Sequence, residues 1–132
     1  MHIFIEDNGN EIIIGHNTIL AGTIHLACTE GKKIHIGNNC LFSSEITIRT
    51  GDSHSIINKD GMRINKAKDV TIGNHVWCGH RVIMTKGTYI PNNCIIGTGA
   101  LVTKAFNKEY CIIAGNPGTI VKQDVNWEYQ RI

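Results

Sequence analysis

The chain has 132 residues, 42% of them hydrophobic and 6% aromatic, and this length suits one modest globular domain covering residues 1–132. Thirteen basic and eleven acidic residues leave a formal net charge of +2. No lysine-rich run or ladder of basic and aromatic residues indicates nucleic-acid binding. Apolar runs are far shorter than the roughly 20 residues that cross a bilayer, and no signal-peptide pattern opens the sequence. These features predict a cytoplasmic protein that neither binds nucleic acid nor inserts into a membrane.

The five cysteines carry a second compositional signal. Cys28, Cys40, Cys78, Cys94 and Cys111 are odd in number and form no CxxC pair. Neither a closed disulfide framework nor a zinc knuckle is therefore indicated. We predict buried thiols, with Cys40, Cys78 and Cys94 in the core.

A six-residue step dominates the sequence between residues 10 and 107. Small or aliphatic residues recur every six positions, and a second series follows four positions after the first. This spacing does not fit a helix, which needs a period of 3.6, and it predicts a β-solenoid in which three six-residue units form one coil. The first series is Ile72, Cys78, Met84, Ile90, Ile96 and Val102, the second is Val76, Val82, Thr88, Cys94 and Ala100, and earlier steps are Ile14, Leu20, Leu26 and Ile36, Phe42, Ile48.

Two segments interrupt the step, and in repeat proteins such insertions form loops, often on the binding face. They are CTEGKKIH (28–35) and the longer GDSHSIINKDGMRINKAKD (51–69). After Val102 the repeat fades. The triplet Gly115-Asn116-Pro117 predicts a turn, and we expect residues 118–130 to form a short C-terminal helix that caps the open end of the solenoid.

Four segments occur in an order that resembles the hexapeptide-repeat acyltransferases, most strongly their sugar and polysaccharide O-acetyltransferases: GDSHSI (51–56), IGNHVWCGH (72–80), IIGTGALVTK (95–104) and IIAGNPGTIVK (112–122). The resemblance covers essentially the whole chain. It implies an all-β fold, a left-handed parallel β-helix with a catalytic loop at 51–69 and a closing segment at 112–132. It also implies acetyl transfer from acetyl-CoA to a hydroxyl of a sugar or surface polysaccharide, without a metal, in a homotrimer with sites between subunits.

The resemblance assigns the chemistry to His54, which lies 23 residues before Trp77. A neutral imidazole can take the proton of the attacking hydroxyl and return it to the departing thiolate. No G-x-S-x-G motif offers a nucleophile, so direct transfer without an acyl-enzyme is expected. Trp77 would wall the site and orient His54 or the substrate, although an aromatic residue at a subunit contact is an equally good interpretation.

The remaining assignments also rest on the resemblance. A backbone N–H near His80 would stabilise the oxyanion. Successive matching corners, with Gly97, Thr98, Thr103 and Lys104, would hold the pantetheine arm. A closing segment would cover the nucleotide end, where Lys104 and Lys122 would face phosphate oxygens. Simpler structural interpretations exist for each: tight corners for the glycines, solvated side chains for the lysines and a turn for the aspartate. The assigned cofactor-binding residues are Gly79, His80, Gly97, Thr98, Thr103, Lys104, Gly115, Asn116, Pro117 and Lys122, and the substrate-binding residues are Asp52 and Ser53.

Three other functions stay open at this point. A nucleotide-sugar N-acetyltransferase would use the same histidine to deprotonate an amine, although no N-terminal nucleotide-binding domain is visible. A metal enzyme of the γ-carbonic anhydrase type could use His75 and His80, with Asn39 near the place of a third ligand, but zinc needs three converging ligands. A non-catalytic solenoid that assembles or binds partners would need neither the loop histidine nor the cofactor motifs.

Overall fold

The computed structural model describes residues 1–132 and contains fifteen β-strands and no helix. No segment therefore has the helical length and apolar character that a membrane-spanning helix requires. In chain order the strands are β1 (His2–Ile5), β2 (Glu11–Ile14), β3 (Ile19–Leu20), β4 (Ile24–Cys28), β5 (Lys33–Ile36), β6 (Leu41–Phe42), β7 (Ile46–Arg49), β8 (Val70–Ile72), β9 (Trp77–Cys78), β10 (Ile83–Met84), β11 (Tyr89–Ile90), β12 (Ile95–Ile96), β13 (Leu101–Val102), β14 (Cys111–Gly115) and β15 (Gly118–Gln123).

The strands form three sheets, which we call faces A, B and C. Face A is β1-β4-β7-β10-β13, face B is β2-β5-β8-β11, and face C is β3-β6-β9-β12-β14-β15. All pairings between these strands are parallel except that of β14 with β15. Each coil visits A, then B, then C, so the chain turns at three stacked edges, named here AB, BC and CA. The result is a parallel β-helix of triangular section.

The predicted inward positions form the core. Both series of the six-residue step from Ile72 to Val102 are at most 1% exposed. Small side chains at the second positions let three faces meet around one narrow interior, with Phe42 the largest fully buried side chain. All five cysteines are buried and free, so the predicted buried thiols are confirmed.

The N-terminal part of the solenoid extends further than the sequence predicts. β1 starts at His2 and pairs with β4, so the first coil begins well before residue 10. Its inward residues, Ile3 and Ile5, remain half exposed because no coil lies above them. The first predicted loop, 28–35, is also shorter than expected, since only residues 29–32 lie outside β4 and β5.

The predicted C-terminal helix over 118–130 is wrong. Residues 118–123 form β15, which pairs antiparallel with β14 through a turn at Asn116-Pro117. β-branched residues favour a strand here, and the free edge of β14 supplies its hydrogen-bond partners. Ile120 packs against the core, so a strand rather than a helix closes this end. Beyond β15, Trp127 folds back and its Nε1 donates to the carbonyl oxygen of His75 at 2.9 Å.

The second predicted loop is present and leaves the AB edge between β7 and β8. Its middle part, residues 56–64, doubles back as a short hairpin with an antiparallel bridge between Ile57 and Arg63. We call this hairpin the arm. Four of its large apolar side chains are more than half exposed: Ile56, Ile57, Met62 and Ile64.

Candidate active site

His54 lies at the AB edge, where the inserted loop leaves face A. Its exposed side chain borders an open surface depression of about 430 Å³. Arg49, at the end of β7, also lines the depression and forms no ion pair, while its Nη2 donates to Ser53 Oγ at 3.1 Å. The imidazole is therefore open to solvent beside an unpaired guanidinium group. The other lining residues are Phe4, Glu6 and His25.

Asp52 and Ser53, the residues assigned to substrate binding, form side-chain hydrogen bonds with other residues of the chain. The Asp52 carboxylate accepts hydrogen bonds from Lys86 Nζ and, at 2.9 Å, from Asn65 Nδ2. The bond from Lys86 holds the pKa of Asp52 below its usual value, so the carboxylate is charged at neutral pH. The Ser53 hydroxyl accepts from Arg49. Both side chains shape the surroundings of His54, and their contact with a substrate stays a prediction.

Most of the residues assigned to the cofactor lie together along the CA edge. Cys78, Ile96 and Ile113 pair in register, so the residues that follow each of them stack along this edge. A Cβ atom on Gly79 would lie 2.8 Å from the backbone nitrogen of Thr98, which explains why this corner needs glycine. The assigned residues on this edge are Gly79, His80, Gly97, Thr98, Gly115, Asn116 and Pro117.

The CA edge differs from the BC edge in its backbone hydrogen bonding. The backbone N–H groups of Ser44, His80 and Thr98 have no acceptor within the chain. At the BC edge the equivalent N–H groups of His16, Asn38 and Asn74 each donate to an asparagine Oδ1 of the next coil, at 2.7 to 3.0 Å. The CA edge therefore offers a column of free donors, as an amide-rich or anionic ligand requires. The asparagines that cap the BC edge are Asn38, Asn74 and Asn92.

The His80 side chain is tied to the preceding coil. Its Nδ1 lies 2.9 Å from the carbonyl oxygen of Ser44 and 3.0 Å from Ser44 Oγ. The ring is thus fixed against the corner, while the backbone N–H of the same residue stays free. This arrangement leaves the peptide N–H available to a ligand, while Nε2 of the partly exposed ring lies 4.0 Å from Glu45 Oε2.

Thr103, Lys104 and Lys122 do not join that column. Thr103 and Lys104 follow β13 at the AB edge, and Lys122 lies on β15, opposite Ile112. The expectation that Gly97, Thr98, Thr103 and Lys104 occupy successive matching corners is wrong, because a six-residue step moves the chain to the next edge and matching corners are about 18 residues apart. Lys104 Nζ instead lies 5.3 Å from the centroid of the Phe106 ring.

Trp77 and His54 are not neighbours within one chain. Trp77 lies on the outer side of face C, 40% exposed, between Leu41 and Ile95. Its ring is 6.1 Å from that of Trp127, which stacks on His75 at 4.3 Å. The expectation that Trp77 orients His54 can therefore hold only across two subunits.

The metal-enzyme alternative has no geometric support. His75 lies at the BC edge and His80 at the CA edge, so the two side chains do not converge. His75 Nδ1 is 3.0 Å from Asn93 Oδ1, and no group of three or more histidine, cysteine or acidic side chains is arranged to hold a metal ion.

Sequence reasoning missed the residues that hold the loop. Asn65 is 5% exposed and hydrogen-bonds to both sides of His54, and Arg63 forms a bidentate ion pair with Glu30 of the preceding coil. Lys86 reaches the loop from the following coil. Nothing in the local sequence distinguishes these residues from solvated loop residues, because their partners are distant in sequence.

Comparisons with known proteins agree with this geometry. No family model matches the chain. A polysialic acid O-acetyltransferase of Escherichia coli O1:K1 is 32% identical over 93% of this chain and 40% of its own length. One of Neisseria meningitidis is 42% identical over 80% of this chain and 50% of its own length. The chain thus spans half the length of these relatives or less.

Solved structures show the same fold. The polysialic acid O-acetyltransferase OatWY superposes with a TM-score of 0.70 and 25% identity, covering 100% of this chain and 93% of that one. A galactoside acetyltransferase in complex with coenzyme A superposes with a TM-score of 0.72 and 21% identity, covering 96% of this chain and 72% of that one.

The fold is that of the hexapeptide-repeat proteins, and the predicted class, an all-β left-handed parallel β-helix, is confirmed apart from its C-terminal helix. The resemblance to hexapeptide-repeat acyltransferases, and among them to sugar and polysaccharide O-acetyltransferases, is confirmed as well. None of the three alternative functions is favoured.

Proposed function

We propose that this protein transfers an acetyl group from acetyl-CoA to a hydroxyl of a sugar or polysaccharide, with His54 as the general base. The observation that carries the proposal is the position of His54, an exposed imidazole in an open depression on a loop whose backbone is hydrogen-bonded on both sides. The relatives named above are O-acetyltransferases, and one structural neighbour binds coenzyme A.

In the proposed reaction, His54 takes the proton of the acceptor hydroxyl as its oxygen attacks the thioester carbonyl. The C–S bond then breaks, the acetyl group stays on the sugar oxygen, and the imidazolium returns the proton to the departing thiolate. All five thiols of the chain are buried, and burial raises the pKa of Cys78, so no cysteine is suited to form an acyl-enzyme. This supports direct transfer.

The CA edge is the proposed site of coenzyme A. The free N–H groups of Ser44, His80 and Thr98 can donate to amide carbonyls of the pantetheine arm. The N–H of His80 can also donate to the thioester oxygen, where negative charge develops in the transition state. Gly115, Asn116 and Pro117 continue the same edge toward the C-terminal end. Lys104 and Lys122 lie off this edge, so their proposed contact with cofactor phosphates has less support.

The separation of these parts supports a homotrimer with shared sites. His54 is on the AB edge and the free donors are on the CA edge, at opposite borders of face A. The strand β7 that joins these edges has four residues and spans about 13 Å. A second prism, packed with its AB edge beside the CA edge of the first, would bring the two parts together. Cyclic closure with three such junctions completes the assembly.

Arg49 points to the kind of acceptor. Its guanidinium group borders the depression of His54 and forms no salt bridge, although its charge helps to lower the pKa of Asp52 and Glu6 lines the same depression. A half-buried arginine of this kind suits a carboxylate on the ligand. An acidic sugar is therefore the favoured acceptor, in line with the relatives named for polysialic acid.

The five free thiols favour a reducing, cytoplasmic location.

The test is the release of coenzyme A from acetyl-CoA in the presence of acidic and neutral acceptors, including a sialic acid polymer and a galactoside. His54→Ala should lower kcat by about 100-fold or more, the usual cost of losing a general base. The matched control is His35→Ala, because His35 is an exposed histidine on face B, away from the depression. A folded His54→Ala protein within a few fold of wild type would rule out the assignment.

A further inference from the structure

Asn65 is the one buried polar side chain of the inserted loop, at 5% exposure. Its Nδ2 donates to Asp52 Oδ2 at 2.9 Å and to the carbonyl oxygen of His54 at 2.8 Å. Its Oδ1 accepts from the backbone N–H of Ile56 at 2.8 Å and from Arg63 Nε at 3.2 Å. Both hydrogens and both lone pairs of the amide are therefore used.

We propose that Asn65 is the positioning residue that holds His54 for catalysis, an inference that rests on the proposed function. The imidazole of His54 forms no hydrogen bond of its own within the chain, so its place is determined by the backbone that carries it. Asn65 fixes that backbone at residues 54 and 56 and, through the Asp52 side chain, on the preceding side. The N–H of His54 also donates to the carbonyl oxygen of Asp52 at 2.8 Å, which further restrains this part of the backbone.

The chemistry of the site requires an amide at position 65. Two of its partners, the Asp52 carboxylate and the His54 carbonyl, can only accept, and the other two, the Ile56 N–H and Arg63 Nε, can only donate. A carboxylate would keep the two accepted bonds but set an oxygen against Asp52 and the His54 carbonyl. A hydroxyl is too short to replace four bonds. This donor and acceptor pattern also fixes the orientation of the amide.

The arm stays attached to the coils without these bonds. Arg63 forms a bidentate ion pair with Glu30 of the preceding coil, and Lys86 of the following coil holds Asp52. Neither contact involves the side-chain nitrogen of Asn65. Losing its two donated bonds should therefore loosen the backbone around His54 and leave the fold and the CA edge intact. Misplacement of a catalytic group by about 1 Å can cost about 100-fold in rate.

The experiment compares Asn65→Asp with Asn58→Asp. Asn58 lies in the same loop but uses only Oδ1, which accepts from the N–H groups of Asp60 and Met62, so its substitution preserves every bond. We expect Asn65→Asp to lower kcat by about tenfold or more with the KM for acetyl-CoA within about twofold. Asn58→Asp should change neither constant. An unchanged kcat in Asn65→Asp, or a rise in KM that accounts for the whole loss, overturns the proposal.

Amide hydrogen exchange supplies a readout that does not depend on activity. In Asn65→Asp, amides of residues 52–56 should exchange faster while those of β8 to β13 keep their wild-type rates. Equal exchange over 52–56 in both proteins rejects the positioning role. If the wild-type protein transfers no acetyl group but the loop loosens as expected, Asn65 positions His54 and the proposed reaction is what fails.

Discussion

At the residue scale, the CA corners differ from the BC corners in one backbone N–H group, which is free at the CA edge and hydrogen-bonded within the chain at the BC edge. The CA corner from Gly97 to Ala100 is a tight turn in which Ala100 N donates to the Gly97 carbonyl at 3.1 Å. Gly99 has a φ of 75°, as the third residue of a type II turn requires. Thr98 occupies the second position, where proline is favoured because φ is near −60°. The free N–H of Thr98 is therefore not needed by the turn itself.

This geometry allows a substitution that removes the free N–H of Thr98. Thr98→Pro removes the N–H but preserves the turn, so the KM for acetyl-CoA should rise severalfold while the thermal midpoint stays the same or increases. Thr98→Ala is the matched control, since it loses the hydroxyl and retains the N–H, and it should bind acetyl-CoA nearly as well as wild type. Steady-state kinetics and a melting curve check both. An unchanged KM in Thr98→Pro would place coenzyme A away from this column.

At the element scale, two ion pairs attach the inserted loop to its neighbouring coils. Arg63 pairs with Glu30 of the preceding coil, a contact that we call the clasp, and Asp52 pairs with Lys86 of the following coil. The bidentate pair with Arg63 holds the pKa of Glu30 below its usual value, chiefly through the hydrogen bond between the two side chains. A depressed carboxyl pKa stabilises the folded arrangement fully above the unfolded pKa, and this contribution is lost as the pH falls through the folded pKa. The clasp should therefore be closed at neutral pH and open in acid.

Glu30→Gln tests the clasp. At pH 6 the protection factor of the Ile64 amide, which donates to the Ile56 carbonyl inside the arm, should be lower in Glu30→Gln than in wild type. The difference should shrink and vanish as the pH falls below the folded pKa of Glu30. Glu11→Gln, which removes only an exposed pair with Lys33 at 3.7 Å, is the control and should leave the arm unchanged. A difference that persists in strong acid would contradict an ionic clasp.

The elements of the fold could be predicted to different degrees. The strand register from Ile72 to Val102 follows from the sequence because each inward position repeats and each is buried. β15 could not be predicted, since residues 118–123 become a strand only when the edge of β14 is present to pair with them. Propensity alone does not decide such a segment.

The part of the candidate site that lies in a sequence motif could be predicted. The part that depends on contacts between residues distant in sequence could not. The resemblance identifies His54 by its spacing to Trp77. Three of the four bonds of Asn65 join residues 9 to 13 positions apart and the fourth comes from Arg63, so these bonds leave no periodic pattern in the sequence. The error for Thr103 and Lys104 has a geometric cause. A sequence with a six-residue step does not show which of three edges a given corner belongs to until the coil is closed.

At the scale of the whole molecule, one exposed apolar surface lies beside the AB edge. Ile56, Ile57, Met62 and Ile64 of the arm are each more than half exposed. The arm has its own bridge and is attached to the preceding coil by the ion pair of Arg63 with Glu30, and its apolar side chains stay exposed. A contact with a neighbouring copy would bury it next to His54, as the proposed trimer requires.

The last prediction separates a site shared between subunits from one contained in a single chain. His54→Ala chains lack the base, and chains carrying His80→Pro and Thr98→Pro lack two free donors of the CA edge, so neither homotrimer should be active. In a cyclic trimer each junction pairs the AB edge of one chain with the CA edge of the next. After random exchange of equal amounts, about a quarter of the junctions combine an intact His54 with an intact CA edge, so about a quarter of wild-type activity should return. Mass measurement of differently tagged chains verifies the exchange and the trimer itself. Proven exchange without recovered activity would place the base and the donors in one chain, and a monomeric mass would remove the shared junction altogether.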